Sequence, residues 1–475
     1  MLDAESLDAD ALVAHVRQHL GDVYGGRRWL LTGDVIQGAA GRHIADLGAL
    51  GGSGCFVLAG CHGIGAVPDA PHAVLDVTGT DMMDGIRRSM TALEADIPVE
   101  IQARVDAWDP TGEARVIRAL FASDRPVARR TVFGGRPAHW RVLEDKSTVD
   151  ALWRQIGIPG APSAVVPAVL DDLWAAHVQL DRGAGTVWSA DNREGWHGGA
   201  SGLRWVRSRA DAEQAAEWMA DHAWTVRVMP FLEGAPCSIH GIVFADHVVV
   251  LRPCEMVVLR EPGTMRFSYA QAATFWDPDP ADREQMRAVT RRTGEWLRDN
   301  VGYRGVFTID GIMAAEGFRP TELNPRFGGA IGKLAGSLPE LPLYLLHLAL
   351  IEEGNAGSPP RDWQPQALEA VLVAAADTHR RGGAMQVLPG VKLAPRTAGL
   401  VWEDGDWRFT QDDEHHDVHV RLGPGTAGSL LMLQLTPEST PHGPLVAPRV
   451  VWPLAFLDAQ WSLAIGPRQA ARAVR

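Results

Sequence analysis

The chain has very few lysines. In 475 residues the only lysines are Lys146, Lys333 and Lys392, and all other permanently cationic side chains are arginines. A genome that favours arginine accounts for the scarcity of lysine but not for these positions. Each lysine is therefore a candidate for a chemical role.

Cysteine is equally scarce, and its four positions show no C-x-x-C pair and no metal-ligand spacing. The cysteines are Cys55, Cys61, Cys237 and Cys254. This pattern predicts reduced thiols in a cytoplasmic protein rather than a disulfide framework or a zinc site.

Long hydrophobic runs and an excess of positive charge are also missing. No run of about eighteen apolar residues occurs and the N-terminus is acidic, which argues against a spanning helix and against a signal peptide. The formal net charge of -13 argues against a nucleic-acid partner, which would need basic patches. At 475 residues the chain is expected to form two to four structural units.

The first 125 residues have the pattern of alternating strands and helices. Apolar residues at helical spacing over residues 10–20 precede RRWLL, a glycine-rich turn and the apolar run CFVLAG. A second such unit runs through HAVLDV and DMMDGIRRSMTALEA. These βαβ patterns predict an α/β domain with a parallel sheet over residues 1–125. Gly33, Gly38 and Gly41 have the wrong spacing for a dinucleotide fingerprint, so a structural turn is favoured over NAD binding.

The pattern of predicted helices, strands and loops changes after residue 125. Ser147 or Thr148 is the predicted N-cap of a helix, and the glycine-rich DNREGWHGGASG between TVWSA and LRWV is typical of a loop covering a site between two strands. The proline- and glycine-rich linker near residue 360 predicts a boundary between a unit at 126–355 and a small α+β domain at 365–475.

The most informative segment runs from FTIDGIM to TELNPR. Glu322 and Asn324 alternate along a predicted strand and so share one face, and Asp310 lies on the preceding strand at hairpin distance. Three converging oxygen donors are what Mg²⁺ prefers, and Arg326 beyond them could hold a phosphate or carboxylate. The alternative is that the two acids merely cap a turn.

TELNPR after TIDG resembles the metal-binding end of ATP-grasp enzymes. The resemblance extends over about residues 125–350, and EDK, the glycine-rich loop, FLEG and the acid-bearing strands follow the family's order. It implies a parallel-sheet domain ahead of a two-lobed ATP-grasp domain, and a carboxylate–amine ligase that uses ATP and Mg²⁺.

The resemblance assigns roles residue by residue. Lys146 and Arg326 match the cations that support phosphoryl transfer, and Asp310, Glu322 and Asn324 match the magnesium ligands. The remaining matches are the flexible cover over the γ-phosphate at 195–202, with Gly198, Gly199 and Ser201, and the adenine hinge, with Met229, Pro230, Phe231, Leu232 and Glu233.

The chain departs from the family pattern at the second lysine, ahead of the glycine-rich loop. Trp188 or Ser189 stands there. Arg193, Arg204 or Arg227 is expected to substitute, unless nucleotide is held differently. The family's acid shortly after the hinge glycine is also missing.

Three further residues are candidate substrate contacts. Arg266 is a candidate contact for the acceptor or a phosphate, equally well explained as a solvated arginine. His197 and His240 are candidates for substrate contact or proton transfer, although packed or surface histidines are favoured. DDEHHDVHV is better explained as a charged turn than as a metal site.

The implied reaction is attack of a carboxylate on ATP to give an acyl phosphate, which an amine then converts to an amide. The domain layout is similar to that of peptide-forming ligases of natural-product pathways, so amino acids or small peptides are the expected substrates. A kinase or thiol ligase on the same fold and a nucleotide-binding regulatory module are the alternatives. A homodimer is the default expectation.

Overall fold

The computed structural model describes residues 8–36, 39–118, 123–193, 198–410, 415–472 and 474, with the backbone alone at 34 and 39. The helices are α1 Ala9–Tyr24, α2 Ala39–Ala49, α3 Met82–Glu94, α4 Val99–Trp108, α5 Ala138–Arg141, α6 Val149–Gln155, α7 Leu170–Leu180, α8 Arg209–His222, α9 Pro280–Val301, α10 Ile331–Ala335, α11 Leu343–Ala356, α12 Pro365–Thr378 and α13 Ala447–Trp461. The strands are β1 Arg28–Val35, β2 Gly54–Cys61, β3 His72–Val74, β4 Arg115–Arg118, β5 Ala164–Pro167, β6 Thr186–Ala190, β7 Leu203–Val206, β8 Thr225–Pro230, β9 Gly234–Val243, β10 Val248–Val250, β11 Cys254–Arg260, β12 Phe267–Ala273, β13 Gly305–Ala314, β14 Gly317–Asn324, β15 Gly383–Pro389, β16 Arg396–Glu403, β17 Asp406–Thr410, β18 Val418–Gly425, β19 Gly428–Leu435 and β20 Gln469–Ala470.

The N-terminal region contains the predicted parallel sheet, in the order β3-β2-β1-β4. Its central strands are buried on both faces, as the continuous apolar run of β2 requires. α1 begins where the Asp8 carboxylate accepts a hydrogen bond from the Ala11 amide at 3.0 Å. The α/β class predicted from the βαβ patterns is confirmed.

The glycines weighed as a nucleotide turn do not form one. Gly33 lies within β1 and Gly41 within α2, while Gly38 is outside the described residues.

Two antiparallel sheets follow and face each other. The smaller has the order β5-β8-β6-β7 and carries α7 and α8, whose alanines and leucines fill its core. The larger has the path β12-β11-β9-β13-β14, with β10 paired to β9 and β20 to β11, and α9 packs on β9. These sheets form the two lobes expected of the central region.

The C-terminal region is a five-stranded antiparallel sheet in the order β15-β19-β18-β16-β17. One face of it packs on α13 through side chains such as Leu433, Val450 and Leu454. The helix that precedes this sheet, α12, packs on the N-terminal part of the chain. Its Leu368 and Leu372 share a core with α1 and α11. The boundaries at 125, 355 and 365 stay predictions.

Buried arginine links these regions. Arg252 is fully buried and donates to the carbonyls of Thr274, at 2.7 Å, and Trp276, at 3.0 Å, while pairing with Asp277 and Asp377. Because guanidinium offers five donors, one side chain can fix several loops at once.

Across the described ranges no helix is long and apolar enough to cross a membrane.

Trp153 on α6 should be essential for the stability of the larger lobe. It is 1% exposed and packs with Ile309 and Leu323 of β13 and β14. We expect Trp153→Ala to lower the free energy of unfolding by about 3–5 kcal/mol, because it removes a large buried side chain and leaves a cavity. Urea unfolding followed by circular dichroism measures the change.

Trp452→Ala is the matched control, since Trp452 is 66% exposed. Its effect should stay within about 0.5 kcal/mol. Equal unfolding midpoints for the two variants would contradict the packing described for Trp153.

Candidate functional site

The β13–β14 hairpin brings two carboxylates face to face. In its register Asp310 lies directly opposite Glu322, and Thr308 lies opposite Asn324. Ser238 Oγ of β9 donates to Asp310 Oδ1 at 2.5 Å, and Asn324 Nδ2 donates to Asp310 Oδ2 at 3.0 Å. The structure therefore places Asp310, Glu322 and Asn324 together, on one side of the hairpin.

The charge of this pair is only partly compensated. Burial, and then repulsion by Glu322, raise the pKa of Asp310 to about 6, although Ser238, Arg326 and Lys146 act in the opposite direction. Lys146 Nζ lies 2.8 Å from Glu322 Oε1. A raised carboxyl pKa beside a second carboxylate is the electrostatic condition that a bound cation relieves.

Two carboxylates and an amide are hard oxygen donors of the kind that Mg²⁺ takes, so these residues fit a magnesium ion. Within the described part of the chain, no group of three or more His, Cys, Asp or Glu side chains is arranged to hold a metal. The candidate set has only two such residues, and the third oxygen would come from Asn324, whose Oδ1 accepts a hydrogen bond from Arg326 Nη2 at 3.0 Å.

Arg326 is held in place by a buried acid that sequence reasoning missed. Arg326 Nε donates to Glu144 Oε2 at 3.1 Å, and Arg136 Nη1 donates to Glu144 Oε1 at 2.5 Å. Burial alone would raise the pKa of Glu144, but the two guanidinium groups outweigh it and hold that pKa below its usual range. Glu144 stands two residues before Lys146 in EDKS, which was the available signal.

A cavity of about 390 Å³ lies between the two lobes. The N-terminal region contributes Met82, Met83 and Ile86, and the C-terminal domain contributes Met385. The predicted site residues that line it are Lys146, Gly198, Gly199, Met229, Phe231, Leu232, Asp310, Glu322, Asn324 and Arg326.

Four predicted residues do not line this cavity: Ser201, Pro230, Glu233 and Arg266. Glu233 pairs with Arg260 and accepts from the Arg472 amide, on the side of the C-terminal segment. Arg266 is exposed on the turn between β11 and β12, close enough to Arg204 to help burial lower the pKa of Arg204 to about 10. Their roles stay predictions.

The glycine-rich loop connects two antiparallel neighbours, β6 and β7, as predicted for a cover between strands. Residues 194–197, with the candidate His197, lie outside the described residues. Gly199 has a φ of +60°, which a glycine adopts without strain, and a side chain there would approach Met82 Cε to 3.1 Å. Gly199 therefore lies directly against the N-terminal region.

The predicted hinge presents an aromatic stack to the cavity. Phe231 lies parallel to Trp205 with ring centroids 4.3 Å apart, and the Arg260 guanidinium lies 5.0 Å from the Phe231 centroid. Flat rings of this kind pack well against a planar heterocycle.

Of the three arginines weighed as substitutes for the missing lysine, Arg227 lines the cavity. It lies on β8 opposite Ser189, and it forms a bidentate pair with Asp150, with Nε–Oδ2 at 2.6 Å and Nη2–Oδ1 at 2.7 Å. Arg204 instead stacks on Trp218 at 3.8 Å.

Arg193 Nη1 donates to the Ala220 carbonyl at 3.1 Å, so it too is engaged away from the cavity. Ser189 lines the cavity, while the Trp188 ring is buried in the lobe core. His240 is buried beside Thr308, with Nδ1 2.9 Å from its Oγ1, and burial lowers its pKa to about 3. It is a packed histidine, the interpretation that the sequence favoured.

No protein-family model matches the chain, and no curated protein sequence matches it. Solved structures do. A structure of N5-carboxyaminoimidazole ribonucleotide synthetase in an ADP complex is 13% identical, with a TM-score of 0.50, over 92% of this chain and 98% of that one. Rhizobium etli pyruvate carboxylase is 16% identical, with a TM-score of 0.52, over 90% of this chain and 37% of that one. The chain has the ATP-grasp fold that the sequence resemblance predicted.

Removing one charge of the Asp150–Arg227 pair should destabilise the fold. The Arg227 side chain is 1% exposed. We expect Asp150→Asn to lower the free energy of unfolding by about 3–5 kcal/mol, because it leaves a buried guanidinium without its charge partner. Urea unfolding measures the loss.

Asp150→Leu combined with Arg227→Met is the control, since it removes both charges together. This double variant should be more stable than Asp150→Asn. A double variant that is the less stable of the two would contradict the description of Arg227 as a charge that needs Asp150.

Proposed function

We propose that this chain, which has the ATP-grasp fold, is an ATP- and Mg²⁺-dependent ligase that joins a small carboxylic acid to an amine and releases ADP and phosphate. The observation that carries the proposal is one cavity between two lobes, lined at one end by Lys146, Arg326 and the opposed acids Asp310 and Glu322. The ADP complex of the matched synthetase supports a nucleotide in this cleft.

Asp310, Glu322 and Asn324 would hold the magnesium ion. When bound, the ion supplies positive charge that stabilises the transferring phosphoryl group. The two carboxylates already repel each other in a buried place, so the site is prepared for a cation before any nucleotide enters.

The chain's own cations would neutralise the remaining charge. A carboxylate and a triphosphate repel each other, so they can align for reaction only beside positive side chains. Lys146 at the Glu322 carboxylate and Arg326, fixed by Glu144, supply those charges. Arg227, which lines the cavity, would act in place of the family's second lysine.

The acyl phosphate formed from carboxylate and ATP would hydrolyse in open water, so the site must close over it. Gly198 and Gly199 lie at the cavity and offer backbone N–H groups, while Met82 packs against the loop from the N-terminal region. The mechanism needs no nucleophilic side chain. Burial raises the pKa of the Cys254 thiol to about 12, which suits that description.

An amino acid or small peptide is the substrate class we favour, with formation of a peptide bond. A kinase, a thiol ligase or a regulatory nucleotide-binding module would use the same site, and a homodimer stays a prediction. These alternatives differ in what the protein consumes.

ADP release with Mg·ATP, measured against amino acids alone and in pairs, separates them. We expect turnover to require a particular pair and to give phosphate and a condensed product by mass spectrometry. Turnover with single compounds would indicate a kinase or leakage of acyl phosphate to water. Binding of ATP without any turnover would count against the ligase in favour of a regulatory module.

Glu322→Gln should remove magnesium-dependent turnover. We expect kcat/KM to fall by at least about 100-fold, because charge stabilisation by a bound metal supplies several kcal/mol. Mn²⁺ titration followed by electron paramagnetic resonance, with Mn²⁺ standing in for Mg²⁺, should show weaker metal binding independently of activity.

Glu316→Gln is the matched control, because Glu316 is exposed at the turn of the same hairpin. It should bind Mn²⁺ as the unaltered protein does. Equal Mn²⁺ affinity in both variants would exclude Glu322 as a ligand.

A further inference from the structure

Three cationic side chains gather beside the cavity, outside the residues assigned to nucleotide and metal. They are Lys333 on α10, Arg381 between α12 and β15, and Arg421 on β18, and we call them the cationic cluster. Burial, then Arg381 and Arg421, lower the pKa of Lys333 to about 8. A Cβ placed on Gly336, at the end of α10, would lie 3.2 Å from Arg381 Cδ, so the Arg381 side chain runs along that helix end.

The cationic cluster has no acidic partner in the part of the chain that the structure describes. Other arginines that are buried or half-buried have acidic partners, as Arg252 has Asp277 and Arg287 has Glu369, whereas Arg204 stacks on Trp218. No such ion pair involves Lys333, Arg381 or Arg421 among the described residues. Lys333 and Arg421 are half-buried and Arg381 is exposed. Like charges held close together cost free energy, most where burial limits screening by water, and a bound anion would offset that cost.

The register of the C-terminal sheet connects the cationic cluster to the cavity. Met385 on β15 lies opposite Met432 on β19, and Met432 lies opposite Arg421 on β18. Directly opposed residues point to the same face of a sheet, and neighbouring strands are about 4.8 Å apart. Because Met385 lines the cavity, Arg421 stands on the same face two strands away, about 10 Å along it.

The helix that carries Lys333, α10, also starts next to the cavity. Gly328, Gly329 and Ala330 follow the metal-site strand and line the cavity, and α10 with Lys333 starts directly after them. The cationic cluster thus lies at the rim where α10 meets the C-terminal sheet. Arg227 and Arg326, which we propose meet the nucleotide, come from the lobes, and Lys146 comes from the segment ahead of α6.

We propose that the cationic cluster binds an anionic group, a carboxylate or a phosphate, at the far end of the carboxylate or amine substrate. The apolar part of that substrate would contact Met82, Met83 and Met385, whose flexible thioethers adapt to varied shapes. The substrate is therefore an amphiphilic small molecule with an anion remote from its reacting group. This inference rests on the proposed function and gives the C-terminal domain a substrate-binding role.

The scarcity of lysine makes a direct test possible. The acetylation rates of Lys146, Lys333 and Lys392 report separately on the proposed nucleotide site, on the cationic cluster and on an exposed loop. Trace acetylation of the full chain with acetic anhydride at pH 8, read by peptide mass spectrometry, gives the relative reactivity of Lys146, Lys333 and Lys392 in one sample. The probes are inorganic phosphate and acetate, added separately. Lys392 is exposed on the loop before β16 and serves as the internal reference.

We expect phosphate, acetate or both to slow labelling of Lys333 by at least about threefold while Lys392 is unchanged, since an anion bound to an ammonium removes it from reaction. The probe that protects more strongly tells phosphate from carboxylate. Arg421→Gln should abolish the protection. Arg408→Gln, which changes an arginine of the same sheet that is 63% exposed, should keep it.

Two results would overturn the inference: labelling of Lys333 that neither anion slows, or protection that persists in Arg421→Gln. Circular dichroism of both variants establishes that they are folded. Mg·ATP added to the same samples should protect Lys146, which tests the proposed function separately. Protection of Lys146 without protection of Lys333 would reject the cationic cluster as an anion site and leave the ligase standing.

Discussion

The arrangement of this molecule depends on two half-buried carboxylates that are held opposite each other in the cavity between the lobes. Asp310 and Glu322 occupy directly paired positions of one hairpin, and burial together with the charge of Glu322 raises the pKa of Asp310. Such a pair is unfavourable unless positive charge is close. Lys146 comes from the segment ahead of α6 to meet Glu322, and a hydroxyl from β9 donates to Asp310.

The positive side chains at the site are themselves oriented by buried acids. Glu144 fixes Arg326 and Arg136, and Asp150 fixes Arg227. Glu144 comes from the stretch between α5 and α6 and Asp150 from the start of α6, while Arg326 and Arg227 come from the larger and the smaller lobe. Asp150 and Arg227 pair in a bidentate geometry, which sets direction as well as charge. The short stretch around Lys146 therefore joins both lobes at the cavity.

The N-terminal region and the C-terminal sheet both contribute side chains to the wall of the cavity. Met82 from the N-terminal α3 packs against Gly199 of the glycine-rich loop, and Met385 from the C-terminal sheet faces the same space. The amide of Gly79 also donates to the carbonyl of Thr426 at 2.8 Å, which joins those two regions directly. An apolar wall built from separate regions can select a substrate without any recognisable motif in the sequence.

The sequence by itself determined the features that depend on neighbours along the chain. Alternation put Glu322 and Asn324 on one face, hairpin distance put Asp310 beside them, and periodicity gave the parallel sheet and the long helices. These follow from backbone geometry, which repeats every two residues in a strand and every 3.6 in a helix.

Only the tertiary structure decided which of three arginines faces the cavity, that Asp150 and Glu144 orient the arginines of the site, and that Lys333 lies with Arg381 and Arg421. These residues are far apart in the chain, and no local pattern relates them. Their meeting depends on how the lobes and the C-terminal sheet pack, which is set by the shape of the buried cores rather than by any spacing in the sequence.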